Sequence, residues 1–316
     1  MVHLRLVVPP GLVRRVRDLL TAWPVVFNVV HLEGASLKPR GDVILCDVAR
    51  EDASVVISEL RALGLGEQGS ISIEEVETSI SEAAVLAEKA AKGSPADAVV
   101  WEQVESRTSE SAELSFSFLA FMILATLIAA VGIMTDSQIL IIGAMVVGPE
   151  FGPLAGFAVA VVQRRLDLAR RSFIALAVGF PVAIAASFLL TVLLRALGPA
   201  PDELSAIGHP ATLFISDPNT FSVIVALLAG ITGVLSLTTA KSGALIGVLI
   251  SVTTIPAAAN VGVAAAYGDW DEFSGALAQL GINLICLTAA GVATLTVQRA
   301  VFVRRRERYR RAGSSS

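Results

Sequence analysis

The stretch "GAMVVGPEFGP", residues 143–153, decides how this chain is read. It lies in an apolar run, 139–163, long enough to cross a bilayer, for which about 20 helical residues suffice. Gly148, Pro149, Gly152 and Pro153 are poor residues for an unbroken membrane helix. Proline lacks the amide donor, and glycine loses most backbone freedom on ordering. The stretch therefore predicts a broken helix with a carboxylate, Glu150, in the break. At 1.5 Å rise per residue, Glu150 stands roughly 17 Å from either end of the run, near the bilayer centre.

A counterpart lies further along the chain. "GVLISVTTIPAAANVGVAAAYGDWDEF" (247–273) resembles "GAMVVGPEFGPLAGFAVAVVQRRLDLA" (143–169), with Gly143 against Gly247 and Asp167 against Asp271. Pro256 falls one place from the match to Pro153, and Thr254 falls opposite Glu150. "IAAVGIMTDS" (128–137) also resembles "LAGITGVLSL" (228–237). The reading is a 3+3 repeat whose second half enters the bilayer upside down, since each half has an odd number of spans. Transporters of that plan hold their site near the midplane, at discontinuous helices.

Mean hydropathy is +0.71 and 16% of residues are charged, against about 25% for soluble domains. Apolar runs place spans at 114–134, 139–163, 172–196, 220–237, 242–267 and 273–297. Arg164, Arg165, Arg170 and Arg171 follow the second span, Lys241 follows the fourth, and the tail after the sixth is basic. The other connections have no Lys or Arg and carry Asp136, Asp202, Glu203, Asp217, Asp269, Asp271 and Glu272. Positive charge stays inside, so both termini are expected in the cytoplasm, with the protein in the plasma (inner) membrane. The start, "MVHLRLVVPPGLVRRV", has no apolar core or cleavage site, so no cleaved leader is expected.

The chain divides into a head (1–78), a helical linker (79–113), a membrane domain (114–298) and a basic tail (299–316). In the head, "HLRLVV" and "DVILCDVA" read as strands and "LVRRVRDLLTAW" and "EDASVVISELRALG" as helices. "PVVFNVVHLEG" and the alternating "SISIEEVET" complete a βαββαβ order, with a loop expected from Gly34 to Gly41. That order is ferredoxin-like. It serves ligand-sensing and plain assembly domains alike, so a small-molecule ligand of the head is a candidate partner. The linker predicts an Ala-rich helix, then a second helix capped by Ser94 with Pro95 at its first position and leading into the first span. Glu102, Glu105, Glu110 and Glu113 read as the solvated face of that second helix.

The strings "GAMVVGPEFGPLAG", "VALLAGITGVLSLTTAKSGALIGVLISVTTIPAAANVGVAAA" and "DAVVWEQVESR" resemble domain-of-unknown-function family 389, in its actinobacterial form. The resemblance implies an integral membrane protein with a soluble N-terminal extension. The family has no established biochemical role, so it supplies no functional residue. Many relatives have a shorter form of 148–153 without a glutamate; if Glu150 is particular to this branch, it is not the chemistry shared by the whole family.

Three readings of Glu150 follow. It is a proton or cation site with Thr253, Thr254 and Asn260; or a protonated side chain bonded to a neighbouring helix; or a group at an oligomer axis. A membrane-centre carboxylate costs about 2.5–3.5 kcal/mol on insertion scales, so each reading has to provide it with partners. Gly148, Pro149, Gly152, Pro153 and Pro256 are the helix-break residues. Gln279 and Asn283 in the sixth span read as interhelical hydrogen-bonding residues. No cofactor, metal site or nucleic-acid partner is expected: the two cysteines, Cys46 and Cys286, fall in different regions, and the net charge is −4. The spans hold no histidine and no clustered carboxylates, so no enzymatic reaction is expected. The leading expectation is a transporter or channel for a small solute or ion, regulated by the head. The alternative is a homo-oligomeric scaffold or lipid-binding protein without transport.

Overall fold

A computed structural model describes residues 1–76, 78–91, 98–201, 215–239 and 244–313. Ser94, Pro95, Asp202, Glu203 and Lys241, which the sequence reading used, lie outside them. The chain forms two compact units. One is Met1–Val104 with Thr238–Ala240 and Arg304–Ser316, and the other is Glu105–Leu237 with Lys241–Val303.

The first unit is built from β1 (Val2–Val8), α1 (Val13–Ala22), β2 (Val26–Leu37), β3 (Arg40–Val48), α2 (Arg50–Ala62), α3 (Leu65–Gln68) and β4 (Ser70–Glu75). It also holds α4 (Glu82–Ala90) and the start of α5 (Trp101–Ser111). The strands make a small antiparallel sheet in the order β2-β3-β1-β4. Alternation fixes its inner face. Val2, Leu4, Leu6 and Val8 are buried and Arg5 is exposed, and Leu4 and Leu6 pair with Cys46 and Ile44. Val16 and Leu20 of α1 and Val56, Ile57 and Leu60 of α2 complete that core. Each such buried aliphatic side chain is worth about 1.5–3 kcal/mol.

The loop expected over 34–41 is instead strand up to Leu37, with a turn of only Lys38 and Pro39. Gly34 adopts a φ of 61° and donates its amide to Asp42 Oδ1 at 2.9 Å. The irregularity is thus absorbed within the ladder, as a register shift between Leu32 and Ser36. Burial pushes the Cys46 thiol up to about 12. Thiolate is the reactive form, so Cys46 should resist iodoacetamide at pH 8 in the intact protein and react once the head is unfolded. Mass spectrometry of the alkylated peptide reads this directly.

The second unit contains α6 (Phe116–Met134), α7 (Gln138–Val147), α8 (Phe151–Gln163), α9 (Leu166–Leu197), α10 (Thr220–Thr238), α11 (Ala244–Ser251), α12 (Thr254–Tyr267) and α13 (Trp270–Gly313). Among the described residues, α6, α9, α10 and α13, and α11 with α12 taken together (Leu245–Tyr267), are five stretches long and apolar enough to cross a membrane. The pair α7 and α8, bent by 47° at its break, makes six if counted as one span. This is a multi-pass membrane protein. The linker helix does not run on into the first span: α5 ends at Ser111, and Ser115 caps α6 by accepting the Phe118 amide at 3.1 Å.

Helix ends in the two halves of this unit recur at one spacing, 104 residues, the separation of Glu150 from Thr254. α7 ends at Val147 and α11 at Ser251; α8 ends at Gln163 and α12 at Tyr267. Their C-caps, Arg164 and Gly268, are both left-handed, with φ of 59° and 74°. The same closing hydrogen bond follows: Arg165 N to Ala160 O at 2.9 Å, and Asp269 N to Ala264 O at 3.0 Å. The next helices then start at Leu166 and Trp270, each with an aspartate, Asp167 or Asp271, in the first turn. Packing repeats too. Gly262 lies against Ser187, and at the corresponding positions Ala158 lies against Gly291.

Candidate functional site

The site is built by two half-helices that start at the same place. α8 runs beside the first half of α9, where a side chain at Gly156 would meet Ser172 Oγ at 2.8 Å. α12 runs beside the second half: Ser187 Oγ donates to Ala259 O at 2.8 Å, and Arg195 Nη1 donates to Ala266 O at 2.6 Å. The two therefore leave the middle of α9 in opposite directions, N-terminus towards N-terminus. Glu150 is the residue before α8 and Thr254 the first residue of α12. Thr254 Oγ1 donates to Glu150 Oε1 at 2.6 Å. The junction lies between the levels of Ser172 and Ser187, in the middle of a 32-residue helix that is about 48 Å long at 1.5 Å per residue.

Glu150 is 4% exposed. Its second oxygen, Oε2, has no hydrogen-bond partner among the described residues. Beside it lies a void of about 10 Å³, lined by Glu150, Phe151, Leu154, Val252, Thr254 and Leu287 among others, none of them basic. That is the room of one water at most. Gly148 makes the approach feasible: a Cβ there would run into Glu150 Oε2 and lie 2.5 Å from Ile255 Cγ1.

The prolines act differently from the sequence expectation. Pro153 is the third residue of α8 and Pro256 the third of α12. First-turn amides have no acceptor inside a helix, so proline there removes nothing the helix uses. Pro153 and Pro256 open the half-helices; the breaks themselves are Gly148–Pro149–Glu150 and Val252–Thr253. Gly152 is also inside α8, where its missing side chain admits α5: a Cβ would lie 2.6 Å from Ser111 Cβ.

Of the four candidate ligands, the structure brings Glu150 and Thr254 together. Thr253, one residue away, turns to the sixth span, where its Oγ1 accepts from Asn283 Nδ2 at 3.1 Å and Gln279 Nε2 at 3.4 Å. Asn260 donates to Glu272 Oε1 at 2.8 Å, two turns along α12 from the junction. Gln279 and Asn283, four residues apart on α13, are 3% and 2% exposed and stand nearer the break than Asn260 does. Their i, i+4 spacing, which puts both on one helix face, was the available signal.

A second cavity, of about 420 Å³, reaches the first break from the start of α6. Arg107, Glu110 and Glu113 line one part of it and Gly148, Pro149 and Gly152 another. Phe151 and Leu249 line both this cavity and the void at Glu150, and so stand between them. The linker helix was expected to show all its glutamates to solvent. Instead its second half lies along α8, with Thr108 and Ala112 against Gly156 and Glu105 paired to Arg165. Glu102, in the first unit, accepts from Ser54 Oγ at 2.7 Å, and burial raises its carboxyl above the usual range. Only Glu110 and Glu113 are exposed.

Residues 145–289 match the model of a family described as Domain of unknown function (DUF389). The match includes both breaks, Gln279 and Asn283. An uncharacterised protein of Methanocaldococcus jannaschii is 24% identical over 202 residues, covering 61% of this chain. The match spans 58% of that relative's length. No solved structure matches.

Proposed function

We propose, on the premise that the membrane part of this chain belongs to the DUF389 family, that the protein is a transporter or channel for a small ion. It is built as a 3+3 inverted repeat, with its site where the two halves meet. One observation carries the reading: Glu150 and Thr254, equivalent residues 104 apart, are hydrogen-bonded to each other. A residue touches its own equivalent only where the axis relating the two copies passes. The opposite directions of α8 and α12 and the recurrence of the helix ends at Val147/Ser251 and Gln163/Tyr267 support an axis lying in the membrane plane. Discontinuous helices meeting at mid-depth are a recurrent way to hold a solute there.

The alternative, a scaffold without transport, calls for an interior with no polar route. The 420 Å³ cavity reaching Gly148, Pro149 and Gly152 favours transport. The head is a ferredoxin-like regulatory domain on this reading; its strand order and the helices between its strands support the fold assignment. The basic connections favour cytoplasmic termini. A homo-oligomer is part of the same proposal. Gly143 and Gly247, again equivalent, have nothing within 4 Å and leave points of close approach on α7 and α11.

Intact protein in vesicles should pass ions down an imposed gradient faster than protein-free vesicles do. Equal rates across halides, alkali cations and protons would remove the transport reading.

A further inference from the structure

We infer that the junction is an anion-binding site whose present occupant is the protein's own carboxylate, so that the ion carried is a small inorganic anion of halide size. This rests on the site of the transport reading, but the binding it predicts is measurable without transport.

Three features point to an anion. First, α8 and α12, of 13 and 14 residues, meet by their N-termini. Each such end carries about half a positive charge, and unbonded amides there take up anions. Second, Phe151 and Ile255, equivalent residues, lie in the two first turns, where the helix itself supplies the amides no acceptor. Third, the group found there is itself an anion-forming one, only 4% exposed, with Oε2 unpartnered. Among the described residues no basic side chain lines the void, and the helix ends supply positive potential there.

The last carbonyls of α7 and α11 also come to these breaks and would attract a cation. The carboxylate's position argues which ends face the void. It is the residue before α8, and its partner is the first hydroxyl of α12. Cations are drawn to helix C-termini and unwound carbonyls, anions to half-helix N-termini. The size of the void argues how the site works. About 10 Å³ admits no halide while the carboxylate is in place, so a free anion binds only where the side chain has left. Phe151 and Leu249 separate that position from the larger cavity and are its apolar gate.

The test measures the thermal unfolding midpoint of intact protein in detergent, titrated with sodium bromide against sodium gluconate at constant ionic strength. Glu150→Ala, which vacates the site, should bind bromide at least tenfold more tightly than the parent. Glu150→Ser, which keeps a helix-capping side chain, should show the same gain and serves if the alanine variant does not fold. No bromide effect in either folded variant would overturn the inference. So would stabilisation of the parent by sodium or potassium that is lost in both variants, which marks a cation site. Bromide binding without vesicle flux would sink the transport reading and leave the anion site standing; flux without bromide binding would do the reverse.

Discussion

Vesicles carrying Glu150→Gln should lose at least nine-tenths of the response of ion flux to a pH gradient that the parent shows. The substitution is nearly isosteric. The introduced amide would keep a carbonyl oxygen to accept the Thr254 hydroxyl, which now donates to Glu150 Oε1 at 2.6 Å. It cannot ionise. The fold, the void and the break stay as they are, and only the exchange of a proton is removed. Among the described residues, Glu150 is the only acidic or basic one lining the void. A buried carboxylate in a membrane is costly, and its side-chain hydrogen-bond partner is the Thr254 hydroxyl. An unchanged pH response in correctly folded Glu150→Gln would show that the side chain serves packing alone.

Gly148→Val should destabilise the membrane unit strongly. A Cβ at this position runs into Glu150 Oε2 and meets Ile255 at 2.5 and 3.0 Å. Ile255 is fully buried, so it has nowhere to move. Overpacking of this kind costs about 1–3 kcal/mol, and here it also displaces the carboxylate. Gly143→Val is the matched control, five residues earlier, with nothing within 4 Å of its Cβ. The expected result is a clear drop in the unfolding midpoint of the intact protein for Gly148→Val and little change for Gly143→Val. Equal effects would mean that the approach at Gly148 is not the tight point described.

Much of this was legible in the sequence because it is set by local chemistry. Apolar runs gave the spans, and Gly148 and Pro149 gave the first break. The spacing of Gly143 from Gly247 and of Asp167 from Asp271 gave the repeat interval that the helix ends follow. What failed depends on geometry across the chain. Thr253 and Thr254 are adjacent and chemically alike, but Thr253 lies in the break and Thr254 opens α12. One therefore reaches Glu150 and the other reaches Asn283. Pro153 and Pro256 read as breaks because proline is unfavourable inside a helix; in a first turn it is harmless, and sequence does not say which turn it occupies. The string "WEQVESRTSES" read as a solvated helix because its charges are conspicuous. Its Thr108, and Ala112 just beyond it, are small, and small residues are what let it lie against Gly152 and Gly156 of α8.

The central claim is that Glu150 and Thr254 form one site on the axis between the two halves. A double-mutant cycle on vesicle ion flux tests it most directly, using parent, Glu150→Gln, Thr254→Val and the double variant, with folding checked for each. If the pair acts as one unit, Thr254→Val alone impairs flux, and adding it to Glu150→Gln changes little further. Effects that multiply independently, or a Thr254→Val protein that transports like the parent, would contradict the account.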